Sequence, residues 1–448
     1  MHFRAITVFC LTAVCALILA SPAVVYGAIP RYSTDQQDFV STGLEHFWVN
    51  GEPFRFTGYN VRGMCHYGGD DILRGSLTED REVNLAYMEN VGARVARVFV
   101  SNKFRNNYTI GDRLNATLAV AAAHNVYVIV AFTDEYHTGF SPVGDDQYYD
   151  SGSGPELLGS AWFNGGYNNY YLPQVLYLVN RFKDDPTVFA WQLGNELKCW
   201  WNWPDVLPFS HDVALQIRAI DQNHMVSHGT AGRNFSHLTW TEGIQLYQDF
   251  DFLTVHTYNG SDYNNDASLA TYLGKPFFIE EAGFSSDDYT DRPSATNSDI
   301  AKWIGRGAKG YMNWGLMATD HDNGDGDFLF GIDYVCTWKD HDLDFDAYTQ
   351  VYSTWSTILA NTPIPLAEST LDQAKSVVNG TDLYVTNCTV TAAYDGKFYM
   401  QQDRITGIGV VWNGPVTEGD TVNVVGTIST SANGERKITA IAVQQVSP

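Results

Sequence analysis

Short apolar, β-branched runs recur along the chain at Phe54–Val61, Ala93–Val100, Val126–Phe132, Val188–Leu193, His224–His228, Phe252–His256, Pro276–Glu281 and Gly310–Gly315. Most are separated by stretches with helical spacing: Glu79–Val91, Asp112–His124, Tyr167–Phe182, Pro204–His224, Asp266–Leu273 and Ser294–Gly307, with Asp344–Leu359 as a last helix. Ser76 and Glu79 fit a capping box at the start of the first helix. The connection Gly229–Asp251 has no clear pattern. Strands alternating with helices imply parallel β-α units. Eight of them predict an α/β fold, a closed (β/α)8 TIM barrel, rather than an open doubly wound sheet. An open sheet usually carries a Gly-rich phosphate turn after its first strand, and this chain has none there.

The pattern changes after Asn361-Thr362-Pro363-Ile364-Pro365, where two prolines mark a boundary. Beyond it, Tyr384–Thr391, Lys397–Gln402, Gly407–Trp412, Thr421–Thr427 and Arg436–Gln444 read as five strands, with turn signals at Asp395-Gly396 and Asn433-Gly434. Residues 366–448 are therefore expected to form a small all-β barrel of the OB type. The N-terminus reads as an address. Arg4 precedes an uncharged apolar run from Ala5 to Ala20, too short for the ~20 residues of a membrane span, and small residues follow. Residues 1–27 are expected to be a signal peptide, 28–362 the barrel domain, and the mature protein secreted, without a membrane anchor.

Charge narrows the partners. There are 27 Lys+Arg against 51 Asp+Glu, a net charge of −24. Such a surface repels phosphate backbones, which argues against nucleic acid. Aromatic residues make up 14% of the chain, enough for rings that stack on sugars as well as for the core. Cys65, Cys199, Cys336 and Cys388 remain after the signal; disulfides are possible in an exported chain, with the pairing left open. Neither CxxC nor HExxH occurs, which argues against a cysteine-based zinc site; no cofactor is expected. The acidic run Asp320, Asp322, Asp325 and Asp327 offers hard oxygen ligands for Ca²⁺, without EF-hand spacing; a solvated acidic loop is the preferred reading.

Two carboxylates stand at strand ends, where barrel enzymes keep their chemistry. Glu196 closes the fourth strand and Glu281 the seventh. An unpaired carboxylate after an apolar run is costly to bury. Two aimed at one mouth are what glycoside hydrolysis needs. Because successive strand residues point to opposite faces, only one of Glu280 and Glu281 can face the mouth; Glu281, followed by Ala282-Gly283, is the one expected there and Glu280 away from it.

Phe189–Glu196 and Pro276–Gly283, with Arg181–Thr187 before the fourth strand, resemble glycoside hydrolase family 5, especially its β-mannanases, over about residues 45–360. The resemblance implies Glu196 as acid/base and Glu281 as nucleophile. It implies further roles for Arg97 (holding the nucleophile ionised), Asn195 (on the sugar 2-hydroxyl), His256 (lining the site), Tyr258 (on the nucleophile) and Trp314 (stacking on the sugar). Trp200, Trp201 and Trp203 crowd the loop after the fourth strand; Trp201 is taken as a sugar platform, and at least one of the three as core. The segment Thr133–His137 departs from the family pattern after strand three. The expectation is a monomeric retaining β-1,4-mannanase acting on polysaccharide. A β-1,4-glucanase or an exo-β-mannosidase is the alternative within the class, and a silent carbohydrate-binding protein the alternative outside it.

Overall fold

A computed structural model of the protein describes residues 39–65, 78–100, 107–136, 144–150, 156–285, 289–317, 337–338, 344–362, 368–403 and 406–446. The expected signal peptide, Ser76, the acidic run Asp320–Asp327 and Cys336 lie outside them.

Eight parallel strands form one curled sheet: β1 (Phe56–Asn60), β2 (Val95–Phe99), β3 (Tyr127–Ala131), β4 (Val188–Gln192), β5 (Met225–Ser227), β6 (Leu253–Tyr258), β7 (Phe277–Gly283) and β8 (Gly310–Trp314). β8 pairs with β1, so the first and last barrel strands meet in the sheet. Between the short β5 and β6 the ring is closed by Asp251 N–H to Val226 O and His256 N–H to Ala231 O, both 3.0 Å. This is the (β/α)8 barrel expected from the alternation.

The helices α1 (Thr78–Asn90), α2 (Asn107–Ala123), α3 (Tyr171–Phe182), α4 (Trp203–Ile220), α5 (Trp240–Tyr247), α6 (Asn264–Leu273), α7 (Arg292–Gly305) and α8 (Phe345–Asn361) surround it. Their apolar faces and the outward faces of the strands share one core, from Val98, Val128 and Trp191 to Trp303 and Tyr352. α5 lies in the connection that showed no clear pattern. Thr239 and Glu242 form a reciprocal capping box at its start. None of the helices among the described residues is long and apolar enough to cross a membrane.

The inside of the barrel holds two kinds of residue. At the N-terminal end, Phe56, Tyr127, Phe189, Phe252, Phe278 and Met312 form an apolar floor. A three-stranded antiparallel hairpin, Ser41–Gly43, His46–Val49 and Glu52–Phe54, closes it from below. Phe47 from the hairpin sits 5.2–6.0 Å, ring to ring, from Phe56, Phe189, Phe252 and Phe278. Above this floor the interior turns polar, and the candidate site begins there.

The C-terminal region has five long strands: β9 (Asp382–Tyr394), β10 (Lys397–Gln401), β11 (Gly407–Val411), β12 (Thr421–Thr430) and β13 (Arg436–Val446). They pair in the order β9-β10-β11-β13-β12, and β12 also pairs with β9. Only β11–β13 of these pairs is parallel. A short helix, Leu371–Ser376, which the strand-only reading lacked, is capped by Thr370 and Gln373 and packs into the region's own core. The region rests on the hairpin. Trp48 and Leu44 meet Tyr384, Val425, Ile441 and Ala442. Leu44 N–H donates to Asp382 Oδ2 at 3.2 Å, and Gln444 donates to Glu52 at 2.9 Å.

Candidate active site

The C-terminal ends of the strands converge on a buried polar cluster. Glu196 follows β4 with φ 51°, a left-handed backbone that a side chain other than glycine seldom adopts. Two neighbouring loops hold it there. Asn195 N–H bonds to Thr133 O at 2.8 Å, Glu135 N–H to Asn195 O at 2.9 Å, and Glu196 N–H to Gly229 O at 2.8 Å. The turn aims the carboxylate across the mouth toward β6 and β7.

Glu281 comes from β7. Arg97 Nη1, from the middle of β2, donates to its Oε1 at 2.5 Å, and Tyr258 OH donates to Oε2 at 2.7 Å. The Arg97 guanidinium is fully buried, and each of its three nitrogens donates a hydrogen bond. Nε donates to Gln192 at 2.7 Å, Nη1 also to Asn60 at 3.0 Å, and Nη2 to Asn195 Oδ1 at 2.9 Å. Its flat face lies 4.8 Å over the Phe99 ring. Asn195 is thereby oriented, and its Nδ2 donates to Asp134 at 3.0 Å.

His256, on β6, stands between the two carboxylates. Nδ1 is 2.7 Å from Glu196 Oε1 and 3.3 Å from Glu281 Oε2. On the other side of Glu196, Tyr136 OH donates to Oε2 at 2.7 Å, with Lys198 Nζ 3.5 Å from the same oxygen. Trp314, at the end of β8 and nearly covered, packs edge-on to Phe99 at 5.9 Å beside Ala131 and Tyr258.

One oxygen of Glu196, one of Glu281 and one nitrogen of His256 all lie within 4.8 Å of one another. Such a group has the makeup of a metal site. Here each member already meets another by hydrogen bond or charge, and Arg97 and Lys198 stand beside the carboxylates as cations.

Charges tune the three groups. Burial pushes Glu196 up, but Lys198, His256 and Tyr136 outweigh it and hold the carboxyl at about 2. Burial would strip His256 of its proton. The carboxylates of Glu281, Glu196 and Glu280 reverse this and raise the imidazole to about 9. Glu281 lies above the usual carboxylate range: burial raises it, His256 and Arg97 only partly offset that, the charge of Glu196 adds to the rise, and Tyr258 opposes it.

The sequence-derived residues Arg97, Asn195, Glu196, His256, Tyr258 and Glu281 are thus brought into one hydrogen-bonded cluster, with Trp314 beside it. Trp201 is not part of that cluster. It is 46% exposed and packs against Trp200 and His237, in a stretch where Cys199, Trp200 and Trp201 all have left-handed φ. Trp203 is core, its indole N–H donating to Ser236 O at 3.1 Å.

One possibility is not realised and one expectation needs correction. Cys65, Cys199 and Cys388 carry free, buried thiols rather than disulfides; Cys65 Sγ donates to Thr117 at 3.2 Å. Glu280 does not point away from the interior. Pairing of β6 with β7 slips at Val255/His256, so Val255 faces Ile279 while His256 faces Glu281, leaving Glu280 as the extra residue of a bulge. Its carboxylate turns inward to Gln192 Nε2 at 2.6 Å and His256 Nε2 at 3.1 Å. Strict alternation does not survive a bulge.

Sequence reasoning also missed Asn60, Gln192, Asp134, Tyr136 and Lys198. A signal existed for Gln192: a polar side chain inside an apolar strand run must find a buried partner.

Residues 49–353 match the family model described as Cellulase (glycosyl hydrolase family 5). Among curated relatives, a "Probable mannan endo-1,4-beta-mannosidase F" of Aspergillus flavus is 28% identical over 296 residues, 58% of this chain and 60% of that protein. A "Mannan endo-1,4-beta-mannosidase A" of Hypocrea jecorina is 24% identical over 340 residues, 65% of this chain and 73% of that protein. The chain thus spans about three fifths of the length of the first relative. Among solved structures, an endo-β-1,4-mannanase from Thermotoga petrophila matches with TM-score 0.55 and 16% identity, over 89% of this chain and 99% of that one. One from Rhizomucor miehei matches with TM-score 0.56 and 16% identity, over 71% and 99%. These likenesses support the fold.

Proposed function

Because the chain belongs to glycosyl hydrolase family 5, we propose that it is a secreted retaining β-glycoside hydrolase that cleaves β-1,4-mannan within the chain. The observation that carries the reading is the Glu196–Glu281 pair, facing each other across the mouth with oxygens within 4.8 Å. Double displacement works with carboxyls ~5–5.5 Å apart, whereas inversion needs ~6.5–9.5 Å to fit a water between them. Glu281 attacks the anomeric carbon, held in line by Arg97 and Tyr258. Glu196 protonates the departing oxygen, then takes a proton from the water that releases the glycosyl group. Asn195, fixed by Arg97 and Asp134, is placed for the sugar 2-hydroxyl, and Trp314 for the face of the ring. Trp201 offers an exposed ring at the rim of the loop after β4.

Mannan as substrate is supported by the names of the relatives. Secretion is supported by the pattern of residues 1–27. The pairing order of β9–β13 supports an OB-type reading of the C-terminal region, with a structural role.

The deciding experiment compares kcat/KM on mannohexaose and cellohexaose in one buffer. Mannohexaose is expected to win and to yield internal fragments. A tenfold preference for the glucan would make the protein a glucanase, and release of mannose alone would make it an exo-enzyme. Neither would disturb the carboxylate mechanism.

A further inference from the structure

Both ring nitrogens of His256 face carboxylate oxygens: Nδ1 meets Glu196 and Glu281, and Nε2 meets Glu280. A neutral imidazole has one N–H and one lone pair, so a lone pair would be pressed against a carboxylate. Either the ring is an imidazolium or one carboxyl carries the proton. Each carboxylate already has other donors. Glu280 receives Gln192 Nε2 at 2.6 Å and lies 3.6 Å from Arg97 Nε. Glu281 receives Arg97 and Tyr258, and Glu196 receives Tyr136 with Lys198 beside it. Glu196 and Glu280 are held below the usual carboxylate range, and Glu281, though raised by burial, has both oxygens taken by Arg97 and Tyr258 as donors, which leaves the proton on the ring.

We propose that Glu280 is a positioning residue that makes His256 the proton store of the site. In the resting enzyme the acid's proton sits on His256 Nδ1, and it passes to Glu196 Oε1 when a glycan fills the mouth. The inference deepens the proposed function and rests on it for the second half.

The bulge in β7 is what makes this possible. It turns Glu280 inward beneath Glu281, so that two successive residues of one strand grip the same imidazole from both sides. Arg97 then touches both, which fixes the pair as a unit. The raised imidazole and the depressed Glu196 agree with a proton stored on the ring. Glu280 itself is pushed up by burial but held below the usual range by Arg97, His256 and Gln192.

The step balances. The Nδ1–H bond breaks as Oε1–H forms, and the ring becomes neutral, keeping its Nε2–H on Glu280. Glu196 gives the proton to the leaving oxygen. In the second half-reaction Glu196 takes one from water and returns it to Nδ1. The transfer spans the 2.7 Å hydrogen bond already present.

The test uses the full chain labelled with ¹⁵N-histidine, the His256 signal being identified by its loss in His256→Asn. At pH 7 both His256 nitrogens are expected to carry protons. In Glu280→Gln the ring should lose one at least a unit lower in pH. The alkaline limb of kcat/KM should fall by the same interval, about a tenfold loss at a fixed pH on that limb. Glu280→Asp should restore the limb even if kcat stays low. A bare ring nitrogen in the wild-type protein at pH 7 overturns the proposal. So does a Glu280→Gln profile lowered by one constant factor at every pH, the mark of mere structural damage. If Glu280→Gln does not fold, the wild-type spectrum decides alone. If the wild type cleaves neither mannan nor glucan, the functional reading falls, and the spectrum still reports where the proton rests.

Discussion

The Lys198 ammonium stands 3.5 Å from the Glu196 carboxylate, two residues along the same loop. It also meets the Tyr136 hydroxyl at 3.0 Å and lies 4.3 Å over that ring. The cation stabilises the charged form of the acid, so the site gives up its proton sooner than it would without it. Lys198→Met removes that pull. The alkaline limb of kcat/KM is expected to move up by about one unit, opposite in sign to Glu280→Gln. A limb that stays in place would show that Lys198 does not tune the acid.

The two carboxylates are not interchangeable. Glu196→Gln should lower kcat roughly 10²–10⁴-fold on a glycan, and much less on an activated aryl glycoside whose leaving group needs no proton. Glu281→Gln should be inactive on both. Equal losses on both substrates for Glu196→Gln would reverse or dissolve the assignment.

Glu135 offers a stability prediction. It is fully buried beside the site, Oε2 accepting Lys198 N–H at 3.1 Å, and Oε1 has no hydrogen-bond partner among the described residues. Burial raises its carboxyl from 4.5 to about 7, with Lys198 opposing. The unfolded chain releases that proton near 4.5, so the folded state loses stability as pH rises from there through about 7. Glu135→Gln should therefore raise the melting temperature at pH 8, by about 1–3 kcal/mol of stability, and leave it nearly unchanged at pH 4. A gain of equal size at both pH values would mean that packing, not charge, was at work.

Trp48 joins the hairpin to the C-terminal region. Its ring is buried against Val425 and Ala442, and its indole donates to Gly43 O at 2.8 Å. Trp48→Ala is expected to cost about 3–5 kcal/mol at that junction. Calorimetry should then show the C-terminal region melting ahead of the barrel. A protein ending at Thr362 should melt lower than the full chain, because it bares Trp48 and Leu44. Unchanged melting of the shortened chain would show that the junction adds nothing.

All eight barrel strands were legible because each is a short apolar run buried on both faces. Periodicity detects such runs without knowing their neighbours. Glu196 and Glu281 were legible for the complementary reason, a charge where an apolar run ends. The bulge was not, because it is a relation between β6 and β7, and Phe277–Gly283 reads as an unbroken strand. The left-handed turn at Glu196 was hidden likewise, since loops from β3 and β5 impose it. The hairpin was overlooked despite a local sign: Asn50-Gly51, both with positive φ, is the turn that two-residue hairpins favour. Thr239-x-x-Glu242 was a similar sign for α5.

The aromatic floor gives the molecule two unlike ends. Phe47 plugs the barrel where the strands begin, and the C-terminal strands sit on the far side of that plug. The mouth lies where the strands finish. A tether, tag or solid support attached beyond β13 would thus grip the protein by its base and leave the mouth facing outward. A graft onto the loops that follow β3 or β4 would stand in the path of an arriving glycan.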